Sequence, residues 1–447
     1  MEQSMTQGPI RKQIILFTLP IMLSIFLQQF YSMVDSIIVG NYVGELALAA
    51  VGTNVPAVGL FTGVAIGMTT GCSIVASQLF GAKKGDDVKK AVASSLILNI
   101  ILGIVVTFIA EVLAGVFFKY VLNAEGELLE NAVLYFRIYC IALVFQFLYN
   151  TVTNLLRSVG DSKAGLYFLL ISSGMNIVLD LVFVIVLKTG IAGAAVATVI
   201  SQAVAGIVSL IYMETKHEAL KVSLSELKYD REIGSLAIKF GIPVIIQQCA
   251  IYLGQIVVQR LVNTFGMTAG YAAAIRVENI VLIPVFAFNA GMSMFAGQNV
   301  GAGEWKRVSD GLKNIVGIGF GICALLSIVT FVFSRPLISL FGVTDDAMWA
   351  GYGYLHFCSC VFWIFCVYMI INAVMQGAGD VTFTMFNSFS GLVIRCAVAY
   401  VMAYFLGFGG SAVWVSVPIS WGYSLILSLF RYRSGKWKEK AVAARRG

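Results

Sequence analysis

Four polar side chains in the first half of the sequence have the types and spacing that suit binding of a small cation. Asp35 and Asp180 lie within long apolar stretches, where a charged side chain costs about 3 kcal/mol unless it is paired or hydrated. Asn176 precedes Asp180 by four residues and shares one helix face with it, and Thr198 adds a hydroxyl in the next apolar stretch. These oxygen ligands predict a site for a cation such as Na⁺, and two neighbouring carboxylates also suit a proton carrier. The alternative is that both carboxylates only bond to polar neighbours.

The second half of the sequence places a different set of charges inside its apolar stretches. Arg276 and Glu278 are two residues apart and do not share a helix face, so Glu278 is predicted to pair with Arg260 or Arg395 on another helix. Arg260, Glu278 and Arg395 are therefore candidates to line a substrate cavity. An ion-pair network that only braces this half is an equal alternative.

Membrane helices must position these side chains, because the composition is that of a polytopic membrane protein. Hydrophobic residues make up 59% of the 447 residues and charged residues only 12%, whereas roughly a quarter of the residues in soluble domains are charged. A helix needs about 20 apolar residues to cross the hydrocarbon core, and that length divides the sequence into twelve predicted spans. They are 13–40, 47–79, 91–118, 131–156, 164–187, 191–213, 235–264, 269–300, 309–334, 347–375, 382–406 and 410–431.

The charges of the connections alternate along the chain. Lys83 and Lys84 follow the second span and Glu125 and Glu127 the third, and 23 of the 30 Lys and Arg residues lie in, or within five residues of, the N-terminus, an even-numbered connection or the C-terminus. Since basic loops stay on the cytoplasmic side, we expect both termini in the cytoplasm of a plasma (inner) membrane protein. The net charge of +7 and the basic tail 434–447 then indicate a membrane-proximal flank and no nucleic-acid partner.

One twelve-residue pattern occurs twice in the chain. The frame G-x-S-x-x-A-x-Q-x-x-G-A stands at Gly71–Ala82 and again at Gly291–Ala302, 220 residues later, which indicates an internal duplication. Shorter correspondences are Leu19-Pro20 with Ile242-Pro243, Gly160-Asp161 with Gly379-Asp380, and Gly190-x-x-Gly193 with Gly407-x-x-Gly410. We therefore predict an all-α membrane protein of two parallel six-helix repeats around a central cavity.

The duplication sets the predicted domains. They are an N-lobe at 1–213, a cytoplasmic linker at 214–234, a C-lobe at 235–433 and the tail at 434–447. The repeat partners of Asp35, Asn176 and Asp180 are Val257, Arg395 and Ala399. A valine, an arginine and an alanine cannot hold a cation, so the coupling site is predicted in the N-lobe alone.

Motifs of enzymes and ATP-driven pumps are absent from the sequence. It contains no G-x-x-x-x-G-K-[ST], no H-E-x-x-H and no G-x-S-x-G. Its eight cysteines include no C-x-x-C, and most fall in apolar spans, where a thiol behaves as a small hydrophobe. We therefore expect no enzyme activity and no cofactor, and we expect transport to be driven by an ion gradient.

The duplicated frame at the ends of spans 2 and 8 resembles the signature of the multidrug and toxic compound extrusion (MATE) family, and the resemblance covers essentially the whole chain. It implies a secondary antiporter that exports organic cations in exchange for H⁺ or Na⁺. The family's cation site matches Asp35, Asn176, Asp180 and Thr198 in residue type and spacing. The resemblance also makes Gln28, Tyr135 and Asn150 candidates for the polar lining of the N-lobe cavity. Some bacterial members carry an acidic residue early in helix 7, where this chain has Gln247 and Gln248.

These observations together predict a multidrug efflux antiporter of the inner membrane that works by alternating access. Its expected partners are small-molecule organic cations and membrane lipid, and its expected coupling ion is H⁺ or Na⁺. We expect it to act as a monomer. The alternative function is a flippase for a lipid-linked saccharide of the wider superfamily, which the C-lobe arginines would serve; the twelve predicted spans argue against it.

Overall fold

The structure is a computed structural model that describes residues 4–122, 124–223 and 225–442. The described residues form long α-helices and contain no β-strand. The helices of the first half are α1 (Ile10–Tyr42), α2 (Glu45–Gly81), α3 (Gly85–Val116), α4 (Gly126–Ser158), α5 (Lys163–Asp180) and α6 (Gly190–Lys216). Those of the second half are α7 (Arg231–Thr264), α8 (Thr268–Val281), α9 (Ile283–Gly301), α10 (Trp305–Ser339), α11 (Asp345–Ser359), α12 (Phe362–Gly377), α13 (Val381–Tyr404) and α14 (Ala412–Arg433).

The helices agree with the predicted membrane spans. Ten helices in the described ranges are long and apolar enough to cross a membrane, and two bent pairs raise the number to as many as twelve. The prediction of an all-α membrane protein is therefore confirmed. Of the predicted tail, residues 443–447 lie outside the described residues.

Two predicted spans are broken instead of continuous. Span 8 bends by 44° between α8 and α9, where Pro284 stands in the first turn of α9. Proline has no N–H and its ring clashes with the preceding turn, so it ends one helix and fits the start of another.

Span 10 bends by 57° between α11 and α12 without a proline or glycine at the break. Side chains there donate hydrogen bonds to backbone carbonyls. Ser359 Oγ donates to the His356 carbonyl at 2.7 Å, and Trp363 Nε1 donates to the Cys360 carbonyl at 3.1 Å. Such local bonds compete with the helical ladder.

The chain divides into two compact units. Unit 1 contains Leu23–Gln248, and unit 2 contains Met5–Met22 together with the chain from Cys249 onward. Both α1 and α7 therefore change unit part-way along their length. The predicted domain limits at 213 and 235 stay a prediction.

Repeated corners fix the helices that follow the fourth span of each half. Gly160 and Gly379 have φ of 96° and 91°, a left-handed conformation that favours glycine. Each is followed by an aspartate. Asp161 Oδ1 accepts the backbone N–H groups of Lys163 and Ala164, both at 3.1 Å, at the start of α5. The Gly-Asp pairs thus end one helix and orient the next.

The core of unit 1 surrounds α4, which packs on α2, α3 and α6. Phe136 on α4 lies at its centre, with ring centroids 5.3 Å from Phe118 and 5.8 Å from Phe61. Tyr135 and Tyr139 belong to the same buried cluster. This packing places polar hydroxyls of α4 next to the ends of α1 and α5.

Candidate coupling-ion site

The four predicted cation ligands lie on three helices of unit 1. Asp35 is on α1, Asn176 and Asp180 are on α5, and Thr198 is on α6. Asp180 is fully buried, Asn176 is 1% exposed and Thr198 is 7% exposed. Asp35 is half-buried. The site therefore lies inside the helix bundle, with Asp35 as its more accessible member.

Asn176 connects the other groups. With its amide nitrogen facing the carboxylate, it donates to Asp180 Oδ2 at 2.8 Å and to the Tyr31 hydroxyl at 3.1 Å. Its oxygen then accepts the backbone N–H of Thr198 at 3.2 Å. This orientation satisfies both ends of the amide, which is how such orientations are assigned. The i, i+4 spacing of Asn176 and Asp180 puts both on one face of α5, as predicted.

The two carboxyl groups meet in the structure. Asp35 and Asp180 interact directly through their side chains, and two carboxylates pack together only with a proton or a cation between them. Asp180 Oδ1 is buried and accepts no hydrogen bond from the described residues. An orphaned buried acceptor is rare, and here it gives a cation a free ligand atom.

The helix changes its geometry directly after this carboxylate. Asp180 is the last α-helical residue of α5, and Leu181–Val186 continue as a wider π-helix. Single turns of π-helix recur at functional sites because they re-aim the side chains beside them. The change of helix geometry thus coincides with the buried carboxylate.

Three tyrosines complete the site, and sequence reasoning proposed only Tyr135. Tyr31 bonds to Asn176 as described and also to the Thr198 side chain. Tyr135 interacts electrostatically with Asp35 and stacks on Tyr139, with ring centroids 6.3 Å apart. Tyr31 was detectable from the sequence, since it precedes Asp35 by four residues and so shares its helix face.

The other two predicted lining residues of the first half make no described contact with the ion site. Gln28 is exposed. Asn150 is half-buried, and its amide donates to the Gln146 carbonyl of its own helix at 2.8 Å. Neither makes a described contact with the four ligands, so a substrate-lining role for Gln28 and Asn150 stays a prediction.

In the second half, two of the three candidate charges come together and the third does not. Glu278 is 7% exposed and accepts a hydrogen bond from the Tyr354 hydroxyl at 2.9 Å. Arg395 acts on Glu278 electrostatically and bonds to Tyr271. Arg260 is exposed on α7. Among the ion pairs of the described residues none joins Glu278 to an arginine, so Tyr354 takes the place of the expected ion-pair partner.

The arrangement of the site defines a kind of protein. Apolar helices enclose two carboxyl groups that need a proton or cation between them, and the described chain carries the spans of a polytopic membrane protein. Fold and site together define a polytopic membrane transporter.

The family model MatE matches residues 20–182 and 243–401, one segment in each half. The chain therefore belongs to the MATE family of multidrug efflux transporters, whose members are transporters and not enzymes.

Curated relatives agree with that assignment. Probable multidrug resistance protein YoeA of Bacillus subtilis is 30% identical over 450 residues, covering 98% of this chain and 97% of the relative. Probable multidrug resistance protein YpnP of the same organism is 30% identical over 442 residues, covering 97% of each. Multidrug export protein MepA of Staphylococcus aureus is 23% identical over 346 residues, covering 76% of each.

Solved structures share the fold. A MATE crystal structure in complex with MaL6 superposes with a TM-score of 0.91 at 23% identity, over 98% of this chain and 99% of that one. A structure described as the outward-facing conformation of a multidrug resistance MATE family transporter of the MOP superfamily gives a TM-score of 0.90 at 23% identity, over 97% and 98%.

Proposed function

We propose that this chain is a secondary active antiporter of the plasma (inner) membrane that exports amphipathic, cationic compounds in exchange for H⁺ or Na⁺. The observation that carries the proposal is the meeting of Asp35 and Asp180 around a buried oxygen that accepts no hydrogen bond from the residues that the structure describes. A site of this kind gains and loses one positive charge without unfolding, which is what ion coupling requires. The chain acts as a monomer, with both termini in the cytoplasm.

The coupling ion works by changing the charge of the site. When the site is empty of ions, two negative carboxyls repel each other and attract a cationic drug. When H⁺ or Na⁺ binds from outside, that attraction falls and the drug is released. The driving force is about 2.3 kcal/mol per charge per 100 mV, together with the ion gradient.

The drug needs a polar and aromatic lining beside the ion site. Tyr135, Gln28 and Asn150 are proposed to supply it in the N-lobe, and Arg260, Glu278 and Arg395 in the C-lobe. Tyr135 has the strongest support, because it is buried beside Asp35. The alternation of access between the two membrane faces then carries the drug outward.

Transport in proteoliposomes tests this function. The purified chain is reconstituted, an inward H⁺ or Na⁺ gradient is imposed in turn, and ethidium movement is measured by fluorescence. We expect one gradient to drive ethidium in the opposite direction. Asp35→Asn keeps the shape and removes the charge, so it is expected to abolish that movement with unchanged expression and thermal stability. Undiminished gradient-driven transport by Asp35→Asn would contradict the assignment of the site.

A further inference from the structure

The first glycine of the duplicated frame makes a backbone contact with a distant helix in unit 1. A Cβ added at Gly71 on α2 would stand 2.6 Å from both the Ala237 carbonyl oxygen and the Gly241 Cα of α7. No side chain fits at that separation. The glycine is required here because the two helix backbones touch.

The second copy of the frame makes the matching contact in unit 2. A Cβ added at Gly291 on α9 would overlap Thr18 Cγ2 of α1 and would stand 3.5 Å from Thr18 Cβ. Thr18 is 4% exposed, and its hydroxyl donates within its own helix to the Ile14 carbonyl at 2.8 Å. Because Gly291 has no side chain, there is room for the Thr18 methyl group.

The two contacts are equivalent under the duplication. Thr18 and Gly241 each stand two residues before the proline of the matched pairs, Pro20 and Pro243. Each frame glycine therefore holds the first helix of the opposite half at the same position. The division of the chain agrees, since Met5–Met22 belongs to unit 2 whereas α7 belongs to unit 1 as far as Gln248.

Residues of the second copy, together with Arg307 of α10, also hydrogen-bond to the chain before α1. Gln298, the glutamine of the frame, accepts the backbone N–H of Met5 at 2.8 Å. Asn299 Nδ2 donates to the Met5 carbonyl at 3.2 Å, and Arg307 Nη1 donates to the Gly8 carbonyl at 2.8 Å. Gly291 and Gln298 are two turns apart on α9, so one helix holds the N-terminal segment at two points.

We propose that both copies of the frame are latches that hold the first halves of α1 and α7, and that the latches open and close in every transport cycle. The proposal rests on the proposed antiport by alternating access. Because α1 and α7 each run through both units, movement of one unit against the other must bend these helices or release one half of each. A glycine contact suits release, since small residues let helix backbones approach closely and such close van der Waals packing falls away over a short distance.

A reversible crosslink tests the latch in the full chain. The distance of 3.5 Å from a Gly291 Cβ to Thr18 Cβ meets the requirement for a disulfide, so Thr18→Cys with Gly291→Cys should crosslink under copper phenanthroline. Ethidium transport by the oxidised double variant in proteoliposomes is expected to fall to the level of protein-free vesicles, and dithiothreitol should restore it. The Thr18→Cys single variant under the same oxidant, and the double variant kept in dithiothreitol, should keep their transport. Complete crosslinking with undiminished transport would overturn the proposal.

A second measurement separates the latch from the antiport function. Gly291→Ala should speed amide hydrogen exchange over 10–22 in the purified chain, because its methyl group displaces Thr18. Adding Thr18→Ala leaves two Cβ atoms 3.5 Å apart, an ordinary contact, and should restore slow exchange. Unchanged exchange in Gly291→Ala would refute the latch whether or not ethidium moves. Absence of ethidium transport in the unmodified chain, with the exchange pattern as expected, would refute the antiport function and leave the latch supported.

The first copy has its own matched control. Gly71→Ala should speed exchange over 231–248, whereas Gly52→Ala on the same helix should not, since nothing lies within 4 Å of a Cβ at Gly52. Equal effects of the two alanines would mean that helix stability and not the contact is responsible, and would overturn the proposal for this copy.

Discussion

At the scale of single residues, the ligands of the ion site differ in what they supply. Asp180 brings charge and a buried oxygen that has no donor in the described part of the chain, so Asp180→Asn is expected to abolish ion-dependent transport. Asn176→Ala leaves that carboxylate without its 2.8 Å donor and should impair coupling severely. Thr198→Ala removes one neutral hydroxyl and should weaken ion binding by about 1 kcal/mol, which is roughly fivefold in ion affinity. Gradient-driven ethidium transport at a series of ion concentrations measures the three effects.

Glu111→Gln is the control for this series. Glu111 is also an acid on a membrane helix, but its partner is Arg137 at 3.2 Å, and its side chain is 44% exposed. Transport should survive its loss. If coupling survived Asp180→Asn and vanished in a folded Glu278→Gln variant, the ion site would belong to the second half.

At the scale of elements, the corner between α4 and α5 depends on one carboxylate. Asp161 Oδ2 accepts the Tyr212 hydroxyl at 3.1 Å and His217 Nε2 at 3.0 Å, which joins the corner to the end of α6. Burial alone would raise the pKa of Asp161, but hydrogen bonds from His217 and the Ala164 N–H outweigh it and hold the pKa below its ordinary value. In the second half Asp380 accepts Arg431 Nε at 2.7 Å in the same way.

Asp161→Asn tests this corner through its pH dependence. The pKa is lower in the folded protein than in the unfolded chain, where it is about 3.9. The ionised carboxylate therefore stabilises the fold at pH values above the unfolded pKa. This stabilisation is lost as the pH falls through the folded pKa. We expect Asp161→Asn to cost about 2 kcal/mol at neutral pH, seen as a lower Tm at pH 7, and the difference should narrow as the pH falls below about 3.9. Tyr212→Phe removes a neutral donor and should cost less.

An equal Tm for Asp161→Asn and the unmodified chain at pH 7 would contradict this account. So would a Tm difference of the same size at pH 3.

The helices show which structural features the sequence specifies. The length of apolar stretches located the spans, because that length is set by the thickness of the hydrocarbon core. The two breaks were not predicted. Pro284 marks one of them, but Pro20 and Pro243 stand inside continuous helices, so proline alone does not identify a break. The break before Phe362 depends on side-chain bonds to carbonyls, which spacing does not reveal.

The ion site was predicted more completely than the breaks. Asp35, Asp180 and Thr198 were proposed as polar side chains inside apolar spans and Asn176 from its helical spacing to Asp180, and the family resemblance matched the same four residues. Tyr31 was overlooked among the 18 tyrosines of the chain, although its spacing of four residues to Asp35 was a usable signal. Its hydrogen bond to Asn176 is known only from the fold. Contacts between distant helices were beyond what local patterns determine.

At the scale of the whole molecule, the connections around α3 predict the orientation in the membrane. Lys84 precedes α3 and Glu127 follows it, and both are exposed. Since α3 is long and apolar enough to cross the membrane once, the two residues are expected on opposite sides. Basic connections remain in the cytoplasm, so Lys84 is expected inside and Glu127 outside. An even number of crossings then returns the C-terminus to the side of the N-terminus.

Cysteine labelling in cells tests that orientation. Lys84→Cys and Glu127→Cys are made in a Cys360→Ser background, because Cys360 is the exposed native cysteine and the other seven are buried or half-buried. A membrane-impermeant maleimide should label Glu127→Cys in intact cells and Lys84→Cys only after the membrane is opened. The background variant, labelled in parallel, gives the signal of the native thiols. The reverse pattern would invert the molecule in the membrane, and the ion gradient would then drive substrates inward through the same site.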